Sequence, residues 1–225
     1  MTVLFPKWTN RMPALLALGA AAAGLTVVFV VYFWFSPKHT DVGYAPYQPI
    51  AYSHKLHAGT LGIDCRYCHR LVEEGPHATI PDAATCMGCH SQVKKDSPML
   101  AVLRDKFGDG AADGSPIPWV KVHLLPQYAY FSHAVHINAR VGCTSCHDRI
   151  DQMEIVHQAQ PLSMGWCLEC HRDPTPHLRP AGVSVTQMDW LPTDETKAAA
   201  QRRLEWQGDN PPELNPPTHC SACHR

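Results

Sequence analysis

Cys65-Arg66-Tyr67-Cys68-His69 decides how this chain folds, because its pattern returns. Cys-x-x-Cys-His recurs as Cys86-Met87-Gly88-Cys89-His90, Cys143-Thr144-Ser145-Cys146-His147, Cys167-Leu168-Glu169-Cys170-His171 and Cys220-Ser221-Ala222-Cys223-His224, and the five copies use all 10 cysteines. Chance would supply about 0.03 matches at this Cys and His content. Two thiols at this spacing bond to the two vinyl groups of one porphyrin, and the adjacent His reaches its iron. The pattern implies five covalently attached haem c groups, with His69, His90, His147, His171 and His224 as proximal ligands. A zinc site would want paired Cys-x-x-Cys units or a Cys₂His₂ spacing, without a His after every second Cys. A disulfide framework needs no His at all.

Outward from the motifs, their first cysteines fall at 65, 86, 143, 167 and 220. Short and long gaps alternate, giving two haem pairs (50–92 and 118–173) and a lone fifth haem (174–225). Each pair is preceded by the same phrase: Tyr52-Ser53-His54-Lys55-Leu56-His57 and Phe131-Ser132-His133-Ala134-Val135-His136. Aromatic-Ser-His-x-x-His at matching distances reads as an internal duplication. The i, i+3 spacing puts both imidazoles on one helical turn, where they can serve two different haems. His54, His57, His133 and His136 are therefore expected as distal ligands. His123 completes the set of five, with a hydrogen bond to a propionate or the backbone as its alternative role. Met164 is the chief rival distal ligand, with Met153 behind it, since Met/His ligation raises the potential relative to bis-His. His39, His77, His157, His177 and His219 are read as solvated or supporting. Trp119, Trp166, Trp190 and Trp206 are expected to stack on porphyrin or pack an interface.

Ala14 to Phe35 is an uncharged apolar run. It is as long as the roughly 20 residues a membrane-spanning helix needs. Lys7 and Arg11 precede it, which places the N-terminus in the cytoplasm, and Tyr32 and Trp34 lie at the far end, where an aromatic belt belongs. The run continues well past Ala20-Ala21-Ala22-Ala23, the stretch a signal peptidase would want, so a retained anchor is expected. The reading is 1–13 cytoplasmic, 14–36 transmembrane and 37–225 a haem domain on the periplasmic side of a bacterial cytoplasmic membrane. Haem c is attached outside the cytoplasm, which agrees with that orientation.

The charges balance, 19 Lys and Arg against 20 Asp and Glu, which excludes a nucleic-acid footprint. With 20 Pro and 14 Gly, long helices are scarce after the anchor. The expected fold is mainly α with extensive loop: one transmembrane helix plus a loop-rich multihaem cytochrome c domain. Its porphyrin plates replace much of the side-chain core. Smaller expectations are a helix over 97–107 capped by Ser97, a loop over 108–116, an extended stretch at 118–123 and a surface helix over 195–206.

Tyr47 to Arg172 resembles the pentahaem, membrane-anchored cytochrome c subunit of bacterial alternative complex III. The similar passages are Ser53 to His57, Cys65 to His69, Pro118-Trp119-Val120-Lys121-Val122-His123, Tyr130 to His136 and Leu162-Ser163-Met164-Gly165-Trp166-Cys167. They lie in a stretch a little over half the chain long. Residues 174–225 resemble the family only in the fifth motif, and the insert at Gly108 to Ser115 is longer than the family's. His77, His157, His177 and His219 lie outside the family pattern. The resemblance implies a quinol:electron-acceptor oxidoreductase of several subunits, in which iron–sulfur and polytopic partners oxidise quinol. This chain would pass the electrons to a monohaem cytochrome c or a terminal oxidase, without a substrate site of its own. Two other readings remain open: a stand-alone membrane-anchored quinol dehydrogenase, and a multihaem reductase with one open haem.

Overall fold

The computed structural model describes residues 5–107, 116–205 and 207–224. Most of the loop expected at 108–116, and Trp206, lie outside the described residues.

A short 3₁₀ turn at Lys7–Arg11 leads into α1 (Met12–Trp34), which starts two residues earlier than the apolar run. At 1.5 Å per residue α1 is about 35 Å long, enough to cross a bilayer. It is apolar on every side and buries none of its residues against the rest of the chain. After α2 (Pro37–Thr40) the chain turns into loops punctuated by short helices. Among the described residues there is no β-strand, only isolated bridges such as Ala129 to His224 and Val141 to Leu178.

The motifs sit on or beside the short helices α3 (Cys65–Cys68), α4 (Ala83–His90), α7 (Thr144–His147), α8 (Met164–Arg172) and α10 (Cys220–Cys223). Caps explain where three of them start. Asp64 accepts from Arg66 N, Asp82 from Thr85 N and Ser163 from Trp166 N, each filling an orphan donor of a first turn. The expected helix over 97–107 is split into a 3₁₀ turn (Pro98–Leu100) and α5 (Ala101–Asp105). Ser97 makes no side-chain cap there; its carbonyl accepts instead from Arg104. The last helix expected from sequence is α9 (Asp194–Leu204), closed by a Thr193/Thr196 capping box.

The two His-x-x-His phrases differ in backbone. His54 opens a wide turn with i→i+5 bonding at Lys55–Thr60, whereas His133 opens α6 (His133–Asn138), an ordinary α-helix. Single wide turns of this kind gather at functional sites.

Little of the chain is conventionally buried. One cluster joins Ile50, Leu103 and Ile117, with Cys86, Met87 and Trp119 packed against it. Gln48 latches the 118–120 stretch beside it through both ends of its amide, to Val120 O (2.8 Å) and from Val120 N (3.0 Å). A second knot surrounds Arg179, which is 3% exposed. Its guanidinium donates to Thr144 Oγ1 (2.7 Å) and lies 4.1 Å from the Trp190 ring centre. Arg140 ties the same region by donating to the carbonyls of Arg179, Pro180 and Val183. Gly142 is needed here because a Cβ would run into the Arg179 guanidinium.

Candidate haem sites

The His of each motif is oriented through its Nδ1. His69 Nδ1 donates to Thr79 O (2.6 Å), His90 to Val93 O (2.9 Å), His171 to Pro217 O (2.7 Å) and His224 to Tyr128 O (3.1 Å). A ring whose Nδ1–H is spent on a carbonyl presents the Nε2 lone pair, which is how metal-binding imidazoles are held. Thr79 reaches its position with φ at 65°, a costly conformation for a β-branched residue that turns its carbonyl toward His69.

His147 differs. Its Nδ1 faces His123 Nε2 at 3.2 Å, with the ring centres 4.4 Å apart. The structure thus brings His123, one of the expected distal ligands, against a motif histidine, with its Nε2 at the Nδ1 of His147.

The two His-x-x-His phrases repeat in space as they do in sequence. Tyr52 lies edge-on to His54 (4.9 Å) and stacked on His57 (4.5 Å); Phe131 lies edge-on to His133 (4.8 Å) and stacked on His136 (4.5 Å). His57 Nδ1 donates to Ser53 O (2.9 Å), and His136 Nδ1 to Ser132 O (2.8 Å). His133 Nδ1 donates to Pro76 O (2.9 Å), while His54 Nδ1 is buried without a partner.

These rings face motif histidines across a consistent gap. His57 and His90 have ring centres 6.2 Å apart, His136 and His171 6.0 Å, and His133 and His147 6.4 Å. Two imidazoles on one metal, with about 2.1 Å from each nitrogen to the metal, stand roughly 6.4 Å apart centre to centre. The residues present therefore fit a bis-His iron at the second, third and fourth motifs. For the first motif, His54 is the candidate: beyond its own burial, His69 is the neighbour that most opposes its protonation.

Burial and neighbouring rings favour the neutral form of five of these imidazoles. Burial, then His69 and His57, lowers the His54 pKa to about 4. Burial, then His157 and His133, lowers His123 to about 4. Burial, then His123 and His133, lowers His147 to about 3. Burial also lowers His133 and His136. Neutral imidazole is the ligating form. Among the thiols, burial raises Cys68 and Cys86 and pushes Cys146 up to about 12, while the neighbouring Cys143 side chain holds Cys65 down at about 7.

The methionines part company. Met164 begins α8 and is 65% exposed, whereas Met153 is buried and its carbonyl accepts from Lys55 N (3.1 Å). Of the remaining histidines, burial lowers the pKa of His177, whose carbonyl accepts from Gly142 N. Sequence reading missed Arg179, a buried cation against Thr144 of the third motif; the Gly142 it requires is the one signal the sequence carries.

Residues 129–225, which hold the third to fifth motifs, match the family profile of cytochrome c7 and related cytochrome c. The chain is also 35% identical, over 135 residues, to the multiheme cytochrome c subunit of menaquinone reductase from Nitratidesulfovibrio vulgaris (strain Hildenborough). That alignment covers 58% of this chain and 60% of the relative, so the chain spans about three-fifths of that curated relative's length. On both comparisons the haem-bearing part of the chain is similar to multihaem cytochromes c.

Proposed function

We propose that the chain is a membrane-anchored electron-transfer subunit that carries five haem c groups and has no substrate site of its own. The observation that carries this reading is the set of ring pairs at 6.0–6.4 Å, each joining a motif histidine to a histidine of the two matching phrases. Haem c, when bound, supplies one-electron redox chemistry. The cysteine pairs tether it and the motif histidines present Nε2. His54, His57, His133 and His136 would supply the second nitrogen to four of the irons, and an iron held in that way passes electrons while staying closed to small molecules. His123 holds His147 through Nδ1, the outer-sphere role that orients a ligand and raises its basicity.

Two likenesses support quinol-linked work: to the menaquinone reductase cytochrome, and to the pentahaem cytochrome of alternative complex III. The complex would supply electrons through iron–sulfur and polytopic subunits. A periplasmic monohaem cytochrome c or a terminal oxidase would accept them. The helix α1 suits a single-pass anchor with the haem domain on the periplasmic side.

One observation favours a second reading. His224 has the Tyr128 ring beside it, centres 5.8 Å apart, whereas the second, third and fourth motif histidines face an imidazole. An open iron at the fifth motif would turn the chain into a multihaem reductase.

The test is spectroscopic and uses the holoprotein purified from its own membrane. Low-spin spectra for all haems, unchanged by CO or cyanide, and co-purification with iron–sulfur and polytopic subunits support the carrier. A ligand-binding high-spin fraction of about a fifth would favour the reductase, one iron in five being open.

A further inference from the structure

We infer that the five attachment motifs form one unbranched series in space, in the order second, first, third, fourth, fifth, entered at Cys86–His90 and left at Cys220–His224. The inference rests on the electron-carrier reading and adds the path.

The links come from different parts of the chain. The second and first motifs meet directly: Tyr67 Oη lies 3.7 Å from where a Cβ on Gly88 would stand, and Arg66, Arg70 and Thr85 line the cleft between them. The turn bearing His54 and His57 joins the same two motifs: His57 O accepts from Ile63 N (3.0 Å), two residues before Cys65, and the His57 ring stands opposite His90.

The first and third motifs, far apart in sequence, are joined through the segment 185–186. Thr186 Oγ1 donates to Asp64 Oδ2 (3.0 Å), directly before Cys65, and Cys143 N donates to Val185 O (3.0 Å). The second phrase is seated on the first motif's loop as well: His133 N and Ala134 N donate to the carbonyls of Pro76 and Gly75.

The third and fourth motifs share α6, whose His133 stands opposite His147 and whose His136 stands opposite His171. The fourth reaches the fifth through His171 Nδ1, which donates to Pro217 O three residues before Cys220. Tyr130 N donates to Cys223 O (2.8 Å), holding the fifth motif beside the start of that same phrase.

Direction follows from the anchor. The first buried residue after α1 is Ile50, and it packs in the cluster that holds Cys86 and Met87. Gly43 and Tyr44 also exchange backbone bonds with Gln158, between the third and fourth motifs, whereas among the described residues no hydrogen bond joins residues 35–50 to the fifth motif; the fifth is therefore the far end and the second, through Ile50, the near one.

An electron cryo-microscopy map of the full-length holoprotein in a lipid nanodisc tests both parts. Nearest-neighbour irons should run second–first–third–fourth–fifth, with the second motif's iron closest to the lipid. Any neighbour pair outside that series, or a fifth-motif iron nearer the lipid, overturns the inference. A map with fewer than five irons counts against the five-haem reading, and the order is then judged on the filled sites by the same rule.

Discussion

His123 and His136 show how one residue type takes two jobs by the nitrogen it offers. His136 gives Nδ1 to Ser132 O and keeps Nε2 for the ring opposite, His171. His123 gives Nε2 to His147 Nδ1. Their replacements should therefore read out differently. His136→Ala should turn about a fifth of the haem high-spin and CO-binding, because one iron of five loses its axial nitrogen. His123→Ala should add no high-spin haem and should raise the potential of one, because the ligand it supports becomes less basic. His123→Gln, which keeps an acceptor, should restore most of that potential. Spectra and a redox titration of the three variants check this; a new CO-binding haem in His123→Ala would make His123 a distal ligand after all. Both histidines stood out in the sequence, yet spacing cannot say which nitrogen a ring presents, because tertiary neighbours choose it.

The wide turn at Lys55–Thr60 carries His57 and rests on the 3₁₀ turn Ile150–Gln152. Lys55 N donates to Met153 O (3.1 Å), and the Lys55 ammonium lies 3.5 Å from Glu154. That ion pair is exposed on both sides and adds little. Close approach of the backbones matters more, since a Cβ at Gly59 would collide with the Asp151 carbonyl. Gly59→Ala should destabilise the haem domain by about 1–3 kcal/mol, the usual cost of overpacking. Gly165→Ala, in α8 with open space around it, should be neutral or stabilise by up to about 1 kcal/mol through helix propensity. Guanidinium unfolding curves of both variants decide it, and equal midpoints would show that Gly59 carries no packing constraint. The repeat behind these elements was legible in sequence. That one copy would be a wide turn and the other an α-helix was not, because the difference lies in what each turn packs against.

Over the whole molecule, few apolar side chains are buried after the first helix, and six histidines (His54, His123, His133, His136, His147 and His177) are held toward the neutral form. Free His titrates near about 6.5. His54 and His123 are held at about 4 and His147 at about 3, burial being the first cause in each. Between those values and about 6.5 the unfolded chain binds more protons than the folded one, so stability falls as pH drops through that window and levels off below it. Denaturation midpoints should be steady from pH 8 to 7 and decline from pH 6.5 to 4.5. A flat profile would show that these rings are not protected from protons.

Local sequence was enough to expose the attachment motifs and an apolar run long enough to cross a membrane. Five Cys-x-x-Cys-His motifs, two His-x-x-His phrases and one uncharged apolar run are short-range patterns whose meaning comes from bond lengths and side-chain spacing. Folding in three dimensions was needed to establish which imidazole faces which, that the His123 ring bonds His147, that Arg179 fills the space Gly142 leaves, and that residues 185–186 link the first motif to the third. Those relations join residues brought together by loops, and a loop's path is set by what its ends pack on, not by its own composition.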